Sequence, residues 1–252
     1  TQALRAAGDN AQAEGFTPTF AAGNQTVRVR RQNNVQIIAD EYSSSYTQEY
    51  VDKAGLGTSS EYDEQGDLRE LEIMKDADLE LLTSVAVTRD GDAGTAGEMD
   101  GVLAWAPTAG GFRIPNGAAS LQRSTFENLS ETIWRNSGQT ADLIVCSGNV
   151  RGQISAWTTN FKQHQSKDTT YVDTVETYRG DWGTQVVLPD PHITVGSLLL
   201  CRKEFLKKAY LRPIAHYELG QTIDGRRGYC VMEVTLEARN PNTIGRITDI
   251  GS

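Results

Sequence analysis

The spacing of hydrophobic residues changes twice along the chain. Over residues 1–45 large apolar side chains are sparse apart from Val35, Ile37 and Ile38, and "QTVRVRRQNNVQII" alternates without building an apolar face. That pattern predicts an extended hairpin arm, polar on both faces, which needs another surface to lie on. Further on the period is helical: Leu68, Leu71, Met74, Leu81, Leu82 and Val85 form one stripe, interrupted by Asp78. Thr58 and Glu61 read as a capping box, so a helix is predicted over about 59–87, roughly 40 Å long at about 1.5 Å per residue. "TRDGDAGTAGEMDG" follows as a glycine-rich loop. A second helix is predicted over Leu121 to Asn136 on Phe126, Leu129 and Ile133, closed by Gly138 and leading into a buried strand, "DLIVC". A third starts near Ser147 and places Val150, Ile154, Trp157 and Phe161 on one face.

The pattern then turns to strands. "YVDTVETYRGDWGTQVVLP" predicts a hairpin turning at Gly180 to Gly183, and "SLLLCR" a central strand. In "RRGYCVMEVTLEAR" Cys230, Met232, Val234, Leu236 and Ala238 alternate with Val231, Glu233, Thr235, Glu237 and Arg239, as a long half-buried strand requires. Helices first and antiparallel strands later favour an α+β fold over a doubly wound sheet. There is no internal repeat and no clear linker.

Charge sharpens this picture at one place. The 252-residue chain has a formal charge of -9, and Glu61 to Glu80 alone holds nine carboxylates against Arg69 and Lys75. One predicted helix thus carries most of the imbalance. From Phe16 to Ala39, by contrast, there is no acid, and Arg28, Arg30 and Arg31 stand together. The pI of about 4.9 argues against a basic groove for nucleic acid, because phosphate affinity needs Lys or Arg to displace counterions. Only the arginine-bearing arm has the right charge. No stretch approaches the roughly 20 apolar residues that span a bilayer, and no signal-peptide pattern opens the residues given, so no membrane partner is expected. The first residue is Thr1, which leaves open a processed chain or part of a longer one.

The search for chemistry predicts no catalytic residue, no cofactor-binding residue and no metal ligand. His164, His192 and His216 have no partner at ligand spacing, and Cys146, Cys201 and Cys230 are widely separated in apolar runs, as buried thiols would be. Ser147 in "CSGNVRG" lacks a nucleophile elbow and reads as a helix cap. The loop glycines 91, 94 and 97 lack a following Lys-Ser/Thr, so no phosphate cradle forms. Asp90 and Asp92 begin an EF-hand-like spacing, but Gly94 and a missing twelfth-position Glu break it.

Three C-terminal segments then carry a resemblance. "VETYRGDWGTQVVLPD", "LLLCRKEFLKKAYLRPIAHYEL" and "VMEVTLEARNPNTIGRITDI" resemble, in order and spacing, the C-terminal half of the major head proteins of tailed bacteriophages. "DLRELEIMKDADLELL" is similar to that family's long helix, "MDGVLAWAPT" to the segment after it, and "NAQAEGFTP" to the polar arm before it. Residues 100 to 165 match least. The resemblance implies a Hong Kong 97-like capsid fold: an E-loop arm at 1–45, and a peripheral domain at 46–105 and 210–252 with its spine helix at about 59–87. The axial domain falls at 106–209. It further implies a major capsid protein, with no enzymatic activity, that self-assembles as hexamers and pentamers into an icosahedral or prolate head around double-stranded DNA. Portal, scaffold and decoration proteins would be its partners, assembly would occur in the host cytoplasm, and the virion would be its location. Family members carry a segment before the arm, whereas the residues given begin inside it.

On that mapping two uses of the charge pattern are open beside a plainly solvated helix face. Glu64, Asp67 and Glu70 could line the shell interior and keep packaged DNA from adhering. Alternatively Arg28, Arg30 and Arg31 of one subunit's arm could lie over a neighbour's acids and set register. The fold's founding member cross-links an arm lysine to an asparagine of a neighbour; here the first lysine is Lys53, beyond the arm, so a non-covalent shell is expected. The rival readings are an encapsulin-like cellular compartment with enzyme cargo, another virion component such as a tail tube, and a small hydrolase with a pocket around Asp181, Trp182 and His192.

Overall fold

Two sheets organise the unit that runs from Asn33 onward in the computed structural model. The structure describes residues 30–51, 60–88, 95–157, 177–220 and 224–251; Arg28, Thr58, Asp90, Asp92, Phe161 and His164 lie outside them. The first sheet has three antiparallel strands in the order β1 (Gln36–Ser45), β8 (Gly225–Ala238) and β7 (Leu206–Leu219). The second is mixed and has six: β2 (Arg113–Pro115), β9 (Gly245–Thr248), β6 (Leu198–Cys201), β3 (Leu143–Cys146), β5 (Gly183–Pro189) and β4 (Thr177–Gly180).

The helices are α1 (Tyr46–Tyr50), α2 (Glu61–Thr83), α3 (Val102–Trp105), α4 (Arg123–Ser137) and α5 (Gly148–Trp157). The second and third predicted helices are α4 and α5, and Gly138 closes α4 in the left-handed conformation expected of a glycine cap. β6 lies inside its sheet, as its unbroken apolar run requires. Leu198 and Leu200 face one core with α4 and α5, while Leu199 and Cys201 face the other with α2 and β8.

The long helix departs from expectation in its ends and its facing. It starts after Ser60 and not at a Thr58 capping box, and Ser60 makes no side-chain cap bond. It stops at Thr83 because the next residues turn extended: Val87 bridges Glu98, and the Asn34 side-chain amide donates to the carbonyls of both, at 3.0 and 3.1 Å. Its buried residues are Tyr62, Gly66, Ile73, Ala77 and Leu81; of the predicted stripe, Leu68, Leu71 and Met74 are exposed. The buried side is the one that lies against β1, where Gly66 faces the Tyr42 ring and Ile73, Ala77 and Leu81 follow it along the helix.

Residues 36–45 were expected to end the free arm. They instead pair with β8 along their whole length, from Gln36 opposite Val234 to Ser45 opposite Gly225. Ile38, Tyr42 and Ser44 are buried, which a strand polar on both faces would not allow. The expectation failed because, along an extended strand, Ile38 and Tyr42 are an even number of residues apart and fall on one face, which gives that face an apolar side to bury.

Candidate functional site

The surface around α2 collects most of the residues singled out from sequence. Its amino end is fixed from outside the helix. α1 opens with a capping box of Ser45 and Gln48, and this places Glu49 beside the first turn of α2. The Glu49 carboxylate accepts from the Tyr62 backbone N–H at 2.8 Å, from Ser44 Oγ at 2.8 Å and from Ser60 Oγ at 3.0 Å. Partial burial alone would raise this carboxyl. The hydrogen bonds from Ser44, Tyr62 and Ser60, with Arg226 nearby, outweigh it and hold the group below the ordinary carboxylate value. Glu49 therefore supplies the cap that Ser60 does not. The Arg226 guanidinium sits 4.1 Å over the Tyr62 ring and pairs with Glu218 at 3.0 Å.

About two turns along, β7 meets α2 through His216. Its Nε2 lies 3.1 Å from Glu70 Oε2 and its Nδ1 3.2 Å from Tyr42 Oη. Burial, reinforced by Tyr62, pushes the Tyr42 phenol above its usual range and keeps it protonated. Its O–H can then donate to Nδ1 while Nε2–H donates to Glu70, a tautomer assigned from the partners. Of the three acids predicted to act together, Glu70 is thus engaged within the chain, whereas Glu64 and Asp67 are exposed. Arg69 pairs with Asp40 at 3.3 Å and with Glu72, and Asp78 with Lys208 at 3.5 Å. Arg30 and Arg31 are exposed.

Sequence reasoning missed Glu49, His216 and Asn33. Asn33 accepts from the Asp100 backbone N–H at 2.8 Å and donates to the carbonyls of Asp100 and Leu236, tying β1's entry to the loop before α3. Only the Ser-x-x-Gln box before Glu49 left a local trace. The remaining candidates are structural. Ser147 precedes α5 and accepts from the Gly196 N–H at 3.2 Å. Trp182 packs on Trp134 with ring centroids 5.0 Å apart, and Asp190, not Asp181, holds the His192 backbone N–H, at 2.8 Å. All three cysteines are buried and free, and burial pushes Cys146 up to about 11 and Cys201 up to about 12. Among the described residues no cluster of His, Cys, Asp and Glu has metal-binding geometry, and no helix is long and apolar enough to cross a membrane.

The comparisons identify this arrangement. No curated relative matches the chain by sequence. Among solved structures it is similar to the holo-SrpI encapsulin complex from Synechococcus elongatus PCC 7942, with a TM-score of 0.59 at 11% identity, covering 86% of this chain and 74% of that one. It is similar to Mycobacterium phage Bobi, with a TM-score of 0.58 at 12% identity over 99% and 82% of the two chains. It is also similar to Gordonia phage Cozz, with a TM-score of 0.56 at 12% identity over 94% and 78%. At such identities these likenesses show the fold alone, the Hong Kong 97-like α+β capsid fold. The family model for the SU10 major capsid protein matches residues 1–251, and the chain therefore belongs to that family of phage capsid shell proteins.

Proposed function

We propose that copies of this chain assemble as hexamers and pentamers into a phage head, with the acidic face of α2 turned toward the packaged double-stranded DNA. The observation that carries this is the charge of α2: nine carboxylates lie in Glu61 to Glu80, with Glu64 and Asp67 exposed and Arg69 already paired. Such a surface repels phosphates and lets a genome slide past. Exposed ion pairs contribute about 0–1 kcal/mol each, so the effect depends on many symmetric copies.

In this proposal α2 and the three-stranded sheet are the peripheral domain, and the six-stranded sheet with α4 and α5 is the axial domain. The pairing of β9 with β2 and β6 supports placing residues 245–248 with the latter. Residues 1–32, with Arg28, Arg30 and Arg31, are the E-loop arm. A portal, a scaffold and decoration proteins complete the head, which assembles in the host cytoplasm. The role is structural, without catalysis or cofactor.

Replacing Glu64, Asp67 and Glu70 together by Gln tests the lining. Electron microscopy of the variant should show intact shells, while the DNA recovered per particle falls. Unaltered filling would reject the lining. The same micrographs and DNA assay separate a phage head from an encapsulin-like compartment, which would hold protein cargo and no genome.

A further inference from the structure

The helix that carries the acids also carries an apolar surface that the fold leaves open. At about 100° per residue, Leu71 projects roughly opposite Ile73 and Tyr62, with Leu68 and Met74 on either side of it. They are 47%, 55% and 42% exposed, whereas Ile73 is fully buried. Isolated exposed leucines are ordinary, but three at i, i+3 and i+6 form a stripe, and this one does not end at the helix. Met74 is also on the wall of a cavity of about 260 Å³ between α2 and β7, lined by Ala77, Asp78, Lys208, Tyr210 and Ile214. That is below the roughly 300–1,000 Å³ of small-molecule sites, so the cavity suits side chains better than a cofactor.

From this we infer that the Leu68–Leu71–Met74 stripe and the adjoining cavity form a docking surface for an amphipathic helix of another protein, apolar on one face and flanked by Lys or Arg. Charge selects the occupant. Glu64, Asp67 and Asp78 border the stripe, with Lys75 exposed among them and Lys208, on the cavity wall, paired with Asp78 at 3.5 Å, so the negative charge left open is that of Glu64 and Asp67. Two copies of α2 placed face to face would set acid against acid, and DNA would be repelled outright. A basic-flanked apolar helix satisfies both features. An added strand does not, because β7, the sheet edge here, is irregular between Tyr210 and Arg212 and again between Arg212 and Ala215, and carries Pro213. The inference deepens the shell reading by naming a partner class for α2, and it stands or falls separately from shell formation.

The test uses the full chain and a fluorescent 18-residue Leu-Lys amphipathic peptide, with a Leu-Glu peptide of the same apolar face and oligolysine as controls. Anisotropy should show binding of the Leu-Lys peptide, weakened by salt and by at least tenfold in the Leu68→Gln/Leu71→Gln protein. Oligolysine should not distinguish the two proteins. Circular dichroism and thermal melting show that the variant is folded, and electron microscopy of the same samples scores shells independently of peptide. Equal Leu-Lys binding by wild type and variant would reduce the surface to its charge and overturn the inference, as would no binding or a preference for Leu-Glu. Displacement of the probe by a peptide of residues 24–34 would give the site to a second copy's arm and likewise overturn it.

Discussion

Glu49 shows how one side chain fixes an element to which it does not belong. The first N–H groups of any helix lack intrahelical partners, and a carboxylate there also meets the positive end of the helix dipole. Because its hydrogen bonds hold the carboxyl below 4.5, Glu49 stabilises the fold at pH values above the ordinary carboxylate range. That stability is lost as pH falls through the depressed folded-state value. Glu49→Gln should therefore cost about 1 kcal/mol at neutral pH, the usual worth of a cap. Thermal midpoints of wild type and variant should converge as pH is lowered below 4.5, and a gap independent of pH would mean that Glu49 acts by packing alone. From sequence this residue is an acid near a helix start like several others; its partners Ser44, Ser60 and Tyr62 come together only in the folded chain.

At the scale of elements, α2 has two apolar faces with different uses. Ile73→Ala should destabilise the protein by about 2–5 kcal/mol, since a buried side chain leaves a cavity. Leu71→Ala should change stability by no more than about 0.5 kcal/mol, as expected at an exposed position. Urea unfolding of the two variants compares them directly, and equal losses would contradict the facing of the helix. The stripe read from sequence follows large apolar residues. The buried face combines Tyr62, Ile73 and Leu81 with Gly66 and Ala77, and the two small residues count for little in any hydrophobic pattern. Where apolar size and contact coincide, as for Phe126, Leu129 and Ile133 on α4, the pattern and the buried face agree.

For the whole molecule, residues 1–45 hold no lysine and the three cysteines are buried. Shells of this chain should therefore be held together without covalent bonds. Particles boiled in SDS without reductant should run as a single band, and a ladder of higher bands would reveal a cross-link. Outside the stripe on α2, other copies cover much of the subunit's exposed surface, as expected for a closed symmetric assembly.

Local signals settled much of this architecture. Alternation in Cys230 to Ala238 dictates a strand with one buried face, the unbroken Leu198–Cys201 run dictates a strand covered on both sides, and Gly138 ends α4 because a left-handed residue is needed there. The charge of α2 and the arginines of the arm are properties of composition, and no fold was needed to read them. Tertiary structure decided which face of α2 is buried, that residues 36–45 are a sheet strand, that Glu49 caps a helix and that β9 joins the six-stranded sheet. Each of these depends on groups distant in the chain, as in Gln36 opposite Val234, where the stabilising contact has no counterpart in the local sequence of either partner.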